Sequence, residues 1–175
     1  MGRLTAEVTD GDHIQGADGA PVTVVEYGDY QCPYCGKAQS IVKDVQGRVG
    51  DGMRYVFRHF PLTNAHAHAK QAAQAAEAAA LQEAFWTMHD HLFEHQRELH
   101  DSHLMTYADE LDLDVGKLRN DMESDAVQTR IQQDFYGGVR SGVNGTPTFF
   151  INDARHDDSW DADTLVAAID KAAAR

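Results

Sequence analysis

The sequence predicts an α/β fold, in which a strand–helix–strand unit is followed by a helical block and then by a late strand. Three observations support this prediction. Two β-branched segments flank a helical pattern near the N-terminus, alanine-rich helical sequence fills the middle, and a turn-rich segment leads into an apolar β run near residue 148. At 175 residues the chain can form one domain, with or without an insertion, around a full hydrophobic core.

The first strand is predicted over residues 22–27, where β-branched and aromatic residues stand between a proline and a glycine. A helix follows up to Gly50, because apolar residues recur there at helical spacing. The second strand is predicted over residues 53–60, where apolar and basic residues alternate. A helix that joins two neighbouring strands in this way makes them parallel, in a right-handed unit.

The middle of the chain is predicted to be helical. Alanine dominates residues 65–84, which gives this segment a strong helix propensity, and an apolar stripe continues to Phe93. We interpret that stripe as core. Two more helices should begin at Asp101 or Ser102 and at Asp114, because short polar side chains cap helix N-termini.

The last third should contain two helices and two strands. An apolar stripe over residues 127–139 ends near Gly142, which suits the position just after a helix. The apolar run after Pro147 reads as a strand, and a short turn should lead to a final strand near residues 155–158. Asp161 can cap the C-terminal helix.

The only two cysteines, Cys32 and Cys35, lie where the first strand ends and the helix begins. Their spacing presents both sulfurs on one helical turn, where they can bond to each other. A helix N-terminus favours a thiolate at Cys32, and only a thiolate attacks a disulfide. The spacing therefore indicates redox chemistry. A zinc site completed by histidines and an inert structural disulfide are the alternatives.

Composition limits the partners and the compartment. A net charge of −13 argues against nucleic acid and anionic membranes as partners. No apolar run approaches the roughly 20 residues that span a bilayer. No signal peptide is visible, so we expect a cytoplasmic protein, or a periplasmic or extracytoplasmic one if the chain is a mature or trimmed form.

Histidines crowd one segment of the helical block. His91 and His95 are one helical turn apart and can share a metal ion, but the sequence contains no H-E-x-x-H pattern. We interpret these histidines as surface residues of an acidic helix, and we expect no metal site.

A turn-rich segment places Pro147 directly before the late apolar strand. Proline cannot donate to a β ladder, so it should lie at the start or edge of that strand. If the Thr146–Pro147 bond is cis, the amide and carbonyl of Thr146 can pair with an extended substrate chain. The alternative is a trans proline that only opens the strand.

Together these features resemble the DsbA-like group of thioredoxin-fold thiol–disulfide oxidoreductases. The resemblance rests on the segments VVEYGDYQCPYC, RHFPL, AFWTMHDHLF and GVNGTPTFFIN, and it covers nearly the whole chain. It implies a thioredoxin-like α/β fold, a central mixed sheet flanked by helices, over residues 13–62 and 127–175. An all-helical subdomain is inserted over residues 63–126, and residues 1–12 form an N-terminal extension.

The resemblance also implies catalytic roles. Cys32 is the expected nucleophile and Cys35 the resolving thiol, and Glu26 matches the family's acidic residue six positions before the first cysteine. Burial in an apolar strand should raise the pKa of Glu26, which can then relay a proton to or from Cys35. The alternative is an ion pair between Glu26 and a base such as Arg58.

The expected substrate-binding residues are Thr146, Pro147, Pro33 and Tyr34, with a cis peptide before Pro147 packed against the disulfide. Periplasmic DsbA oxidases typically have Pro-His between the cysteines and Val before the cis-proline, whereas this chain has Pro33-Tyr34 and Thr146. Without that histidine, we expect the helix N-terminus alone to stabilise the Cys32 thiolate, and we expect a potential near that of glutaredoxins.

The expected function is disulfide exchange with protein substrates through a mixed disulfide, in a direction that the sequence does not set. No organic cofactor is needed. The partners are substrate proteins with thiols or disulfides and an unidentified regenerating redox partner or small thiol. Two alternatives stay open: a small-molecule enzyme of the same fold, like a kappa-type glutathione transferase or a chromene-carboxylate isomerase, and a non-catalytic cysteine–histidine metal-binding module.

Overall fold

The structure, a computed structural model, describes residues 2–175 and contains one mixed five-stranded sheet. The strands are β1 His13–Gly16, β2 Val22–Gly28, β3 Met53–His59, β4 Thr148–Ile151 and β5 Ala154–Arg155. Their order across the sheet is β1-β3-β2-β4-β5. The pair β2–β3 is parallel and the other pairs are antiparallel, which confirms the predicted thioredoxin-like fold.

Helices cover both faces of this sheet. They are α1 Pro33–Val49, α2 Ala69–Ala80, α3 Phe85–Glu94, α4 Asp101–Glu110, α5 Val115–Met122, α6 Asp125–Arg140 and α7 Ala162–Ala173. The first helix joins the two parallel strands, as predicted, and α2 to α6 follow one another between β3 and β4. The division into a thioredoxin-like domain and an insertion at residues 63–126 stays a prediction.

The sheet is buried on both sides because alternate strand residues enter two different cores. Val24 and Phe57 belong to the larger core, which includes residues of α1 to α5 and α7. Val25 and Val56, their neighbours along the strands, belong to a smaller core that also contains Phe60 and is packed against Phe135 of α6. The continuous apolar runs of β2 and β3 follow from this double coverage.

Three local predictions were wrong. The alanine-rich segment is interrupted after Ala80, and Glu83 adopts a positive φ of 61°, which separates α2 from α3. The final strand comes earlier than expected, because a tight turn with Asn152 at a φ of 48° leads directly into β5. Asp101 begins α4 as a helical residue, and His100 occupies the N-cap without a side-chain hydrogen bond.

Gly138 of α6 provides a test of the packing between this helix and the sheet. An added Cβ would lie 2.8 Å from Cδ2 of Phe60 and 3.0 Å from Cδ1 of Tyr27. We expect Gly138→Ala to lower the free energy of unfolding by about 1–3 kcal/mol, as overpacked cores do, although alanine favours helix. Urea denaturation measures the change.

Gly47→Ala is the matched control, since Gly47 is an exposed residue of α1 with no heavy atom within 4 Å of its added Cβ. That substitution should raise the free energy of unfolding by up to about 1 kcal/mol through helix propensity. The same sign of change in both variants would contradict the close approach at Gly138.

Candidate active site

The two cysteines lie at the N-terminus of α1, at one end of the parallel strand–helix–strand unit. Cys32 is the N-cap residue and Pro33 opens the helix, a position where proline's missing N–H costs no hydrogen bond. Cys35 follows one turn later and is fully buried, whereas Cys32 is 4% exposed. Both thiols are free in this structure.

Cys32 is arranged as the nucleophile. A hydrogen bond from the Cys35 thiol lowers the pKa of Cys32 to about 5, with further lowering from Thr146 and from the peptide N–H groups of Cys35 and Tyr34, against the raising effect of burial. The expectation that the helix N-terminus alone stabilises this thiolate is therefore wrong. The partner thiol and the Thr146 segment contribute as well.

Cys35 has the opposite environment. Burial raises the pKa of the Cys35 thiol well above its usual value, and its hydrogen bond to Cys32 and the nearby Glu26 raise it further. The peptide N–H of Asp29 contacts the Cys35 sulfur at 3.5 Å. At neutral pH the pair therefore consists of one thiolate and one thiol.

Glu26 is buried in β2 and accepts a hydrogen bond from the Tyr55 hydroxyl. Burial raises the pKa of Glu26 to about 8, although the Tyr55 bond lowers it, and the Cys32 charge adds to the rise. The alternative pairing with Arg58 does not form. Arg58 binds Asp12 at 2.9 Å, and its register places it on the other face of the sheet from Glu26.

The expected substrate-binding residues surround Cys32. The Thr146–Pro147 peptide bond is cis, and the Thr146 carbonyl oxygen lies 3.6 Å from the Cys32 sulfur. Both residues are half-buried just before β4. Pro33 is exposed beside them, and the Tyr34 side chain is 61% exposed. The fold thus brings together residues that lie more than 100 positions apart.

Asp29 is a site residue that sequence reasoning missed. One oxygen of its buried carboxylate accepts the peptide N–H groups of Gln31 at 2.7 Å and of Cys32 at 3.2 Å. The other oxygen accepts the peptide N–H of Leu62 at 2.9 Å and contacts His66 Nδ1 at 2.8 Å. A local signal was present, because an aspartate that bonds the backbone two residues later is a common turn element.

Gln96 is a second missed residue, and it comes from the segment after α3. Its side-chain amide donates to the carbonyl of Tyr30 at 2.9 Å and to the carbonyl of Cys32 at 2.8 Å. A Cβ at Gly36 would lie 2.1 Å from Gln96 Oε1, so any larger residue there would displace the Gln96 amide. No local sequence pattern predicts the contact between Gln96 and Cys32, which are 64 positions apart.

Metal-ligand geometry does not involve the cysteines. Within residues 2–175, two clusters place His, Asp, Glu or Cys ligand atoms close enough to hold an ion. They are His13–His59–Glu77 and His91–Glu94–His95. The alternative of a cysteine–histidine metal module therefore lacks a ligand set in this part of the chain.

Comparison with known proteins agrees with this geometry, although the curated relatives are much longer. The chain is 48% identical over 163 residues to Na(+)/H(+) antiporter NhaA 1 of Salinispora arenicola and 41% identical over 163 residues to NhaA 1 of Mycolicibacterium vanbaalenii. The matches cover 93% and 92% of this chain, but 25% and 26% of those proteins. The chain thus spans about a quarter of their length. Among residues 2–175, no helix combines the length and apolarity that a membrane crossing requires.

Solved structures and a family model identify the group. A thioredoxin-like oxidoreductase from Silicibacter pomeroyi matches with a TM-score of 0.86 at 30% identity, covering 95% of each chain. Oxidised BdbD from Bacillus subtilis matches with a TM-score of 0.84 at 26% identity, covering 94% of each chain. A family model described as thioredoxin matches residues 8–171. The chain therefore belongs to the thioredoxin family, in its DsbA-like group of thiol–disulfide oxidoreductases.

Proposed function

We propose that this protein exchanges disulfides with protein substrates through the Cys32–Cys35 pair and a mixed-disulfide intermediate. The observation behind the proposal is the asymmetry of the pair. Cys32 is slightly exposed with a pKa lowered to about 5, whereas Cys35 is fully buried with a raised pKa. A low-pKa nucleophile beside a shielded resolving thiol is the arrangement that exchange requires.

In the reducing direction, the Cys32 thiolate attacks one sulfur of a substrate disulfide. The substrate's other sulfur leaves as a thiolate and takes up a proton. Cys35 then loses its proton and attacks the Cys32 sulfur, which releases the second substrate thiolate and forms the Cys32–Cys35 disulfide. The substrate gains two electrons and the pair loses two. The oxidising direction runs through the same bonds in reverse.

Glu26 is the proposed proton carrier for Cys35. A pKa of about 8 keeps its carboxyl mostly protonated near neutral pH while leaving it able to exchange that proton. In the oxidising direction, Cys35 leaves as a thiolate and Glu26 supplies its proton. In the reducing direction, the Glu26 carboxylate accepts the proton that Cys35 must lose before it attacks.

Thr146 and Pro147 are proposed to hold an extended substrate chain beside Cys32, because they lie just before β4 and the Thr146 carbonyl oxygen is 3.6 Å from the Cys32 sulfur. Pro33 and Tyr34 offer exposed apolar surface on the other side of the pair. Backbone pairing suits a protein substrate of variable sequence, since it reads the main chain rather than particular side chains.

The thiolate also bears on the direction of exchange. A pKa of about 5 for Cys32 lies between the values of about 7 for thioredoxin and about 3.5 for DsbA. A more stable thiolate favours the reduced form and makes the disulfide a stronger oxidant. We infer a potential between about −270 and −120 mV, an interval that includes the glutaredoxin range.

The proposal rests on the cysteine pair and not on the antiporter name of the relatives, because the match covers only a quarter of those proteins. No organic cofactor enters the exchange. A redox protein or small thiol regenerates the pair. The small-molecule alternative is less favoured, since enzymes of that kind usually have a single serine or cysteine where this chain has both sulfurs.

Trapping tests the exchange directly. We expect Cys35→Ser to accumulate mixed disulfides with substrate proteins that contain a disulfide, because the Cys32 thiolate attacks one substrate sulfur, the other leaves as a thiolate and the resolving thiol is absent. Non-reducing electrophoresis detects these mixed disulfides. Wild type should accelerate the reduction of insulin by dithiothreitol. With Cys32→Ser, insulin should be reduced only at the uncatalysed rate. Equal turnover by Cys32→Ser and wild type would refute the proposal.

Alkylation tests the roles of the two thiols. We expect iodoacetamide to label Cys32 of the reduced protein with a pH midpoint near 5, because only the thiolate reacts, and to leave Cys35 unlabelled while the protein is folded. Peptide mass spectrometry assigns the label. Similar labelling of both cysteines, or a midpoint near the ordinary thiol value, would contradict the assignment.

Glu26→Gln tests the buried carboxyl through stability. The unfolded carboxyl ionises near pH 4.5 and the folded one near pH 8, so the contribution of Glu26 to stability is full below pH 4.5 and is lost as the pH rises to 8, opposite in sign to the contribution of the Cys32 thiolate. Each pH unit costs about 1.4 kcal/mol. We expect Glu26→Gln to remove this loss and to be more stable than wild type by a few kcal/mol at pH 8.

Glu123→Gln serves as the control, because Glu123 is exposed to solvent, whereas Glu26 is buried. Its unfolding curves between pH 5 and 8 should follow those of wild type. In stopped-flow measurements, Glu26→Gln should also slow the resolution of the mixed disulfide more than the first attack. A pH dependence of stability identical in Glu26→Gln and wild type would exclude a buried, titrating Glu26.

A further inference from the structure

We propose a Zn²⁺ site formed by His91 and Glu94 of α3 and by His95, which ends that helix, with Glu110 of α4 in contact with His91. His91 and Glu94 lie one turn apart on α3, and a contact with the His91 carbonyl holds the His95 ring near them. Each of these three residues can place a ligand atom within 4.8 Å of the others. The site is separate from the cysteine pair and from the exchange reaction.

Glu110 supports the site from the neighbouring helix, as carboxylates that hold a metal-bound histidine do. His91 Nε2 lies 2.9 Å from Glu110 Oε2, so α4 brings a second carboxylate against the histidine pair. The Glu110 side chain is 53% exposed, which leaves the cluster open to ions from solvent. The histidine spacing alone led us to expect no metal site, and the present proposal rests instead on the contacts of His91, Glu94 and His95 in the structure.

His95 is already oriented as a ligand. Its Nδ1 donates to the backbone carbonyl of His91 at 2.8 Å, which fixes the tautomer and leaves the Nε2 lone pair free to bind. Metal-bound histidines almost always donate their other ring N–H to an oxygen in this way. The Tyr107 ring packs against both histidine rings, with centroids 4.8 Å and 5.1 Å away, and limits their movement.

The donor set selects the ion. Two imidazole nitrogens and one carboxylate oxygen, with a water in the fourth position, suit Zn²⁺, whereas Ca²⁺ and Mg²⁺ prefer oxygen alone. The other cluster differs. The Nε2 atoms of His13 and His59 lie 2.6 and 2.7 Å from one oxygen of buried Glu77, so these ring nitrogens are already occupied by hydrogen bonds to that carboxylate.

The position of the site gives it a role near the active site. Gln96 directly follows His95 and holds the carbonyls of Tyr30 and Cys32. An ion that joins the end of α3 to α4 would restrain the segment from which Gln96 reaches the active-site loop. The expected effect is slower hydrogen exchange of residues 95–99 when Zn²⁺ is bound.

The experiment uses the untagged full chain with Cys32 and Cys35 oxidised to the disulfide, which removes the thiolates as competing ligands. Zn²⁺ is titrated by calorimetry, and Co²⁺ absorption reports the coordination geometry. We expect one ion per chain and an affinity at least about tenfold weaker in His95→Asn and in Glu110→Gln, since even second-shell changes cost about 10–100-fold.

His100→Asn is the control variant, because His100 is an exposed histidine of the same segment outside the cluster. It should bind Zn²⁺ like wild type, and thermal unfolding should show all three variants folded. The proposal is overturned if the wild type shows no saturable binding, or if His95→Asn and Glu110→Gln both keep its affinity. Because the oxidised protein performs no exchange in this assay, the outcome is independent of the proposed function.

Discussion

The active-site loop depends on one buried carboxylate, that of Asp29. Burying a charged carboxylate is costly unless its oxygens are fully hydrogen-bonded, and Asp29 accepts from Gln31, Cys32, Leu62 and His66. These contacts join the end of β2 to the segment that follows β3. They fix where α1 begins, and therefore where the nucleophilic sulfur lies relative to the sheet.

The same backbone is held from the opposite side by Gln96. Asp29 accepts the peptide N–H of Cys32, and Gln96 donates to the peptide carbonyl of Cys32, so side chains bind both polar groups of the nucleophile's own residue. Gly36 leaves the space that the Gln96 amide occupies. The segment after α3 is therefore part of the active site.

The features that could be predicted from the sequence are those that depend on residues close together in the chain. Asp114 and Asp161 cap α5 and α7 as expected, because a cap needs only the backbone three residues on. The burial of Glu26 followed from its apolar strand. Gln96 and Glu110 were missed, because their partners lie on other elements and no spacing rule connects them. Asp101 was wrongly predicted as a cap for a local reason, since the helix begins one residue earlier than that pattern assumed.

The environments of three ionisable groups explain how one small site can move both electrons and a proton. Its surroundings lower the pKa of Cys32 to about 5, whereas burial raises those of Cys35 and Glu26. Of these three groups only Cys32 is negatively charged in the reduced protein, and that charge helps to keep Glu26 protonated. Forming the disulfide removes the charge, so the pKa of Glu26 must be lower in the oxidised protein than in the reduced one. Glu26 therefore gives up its proton more readily when the pair is oxidised. In the proposed exchange, that is the state from which Cys35 leaves as a thiolate and must take up a proton.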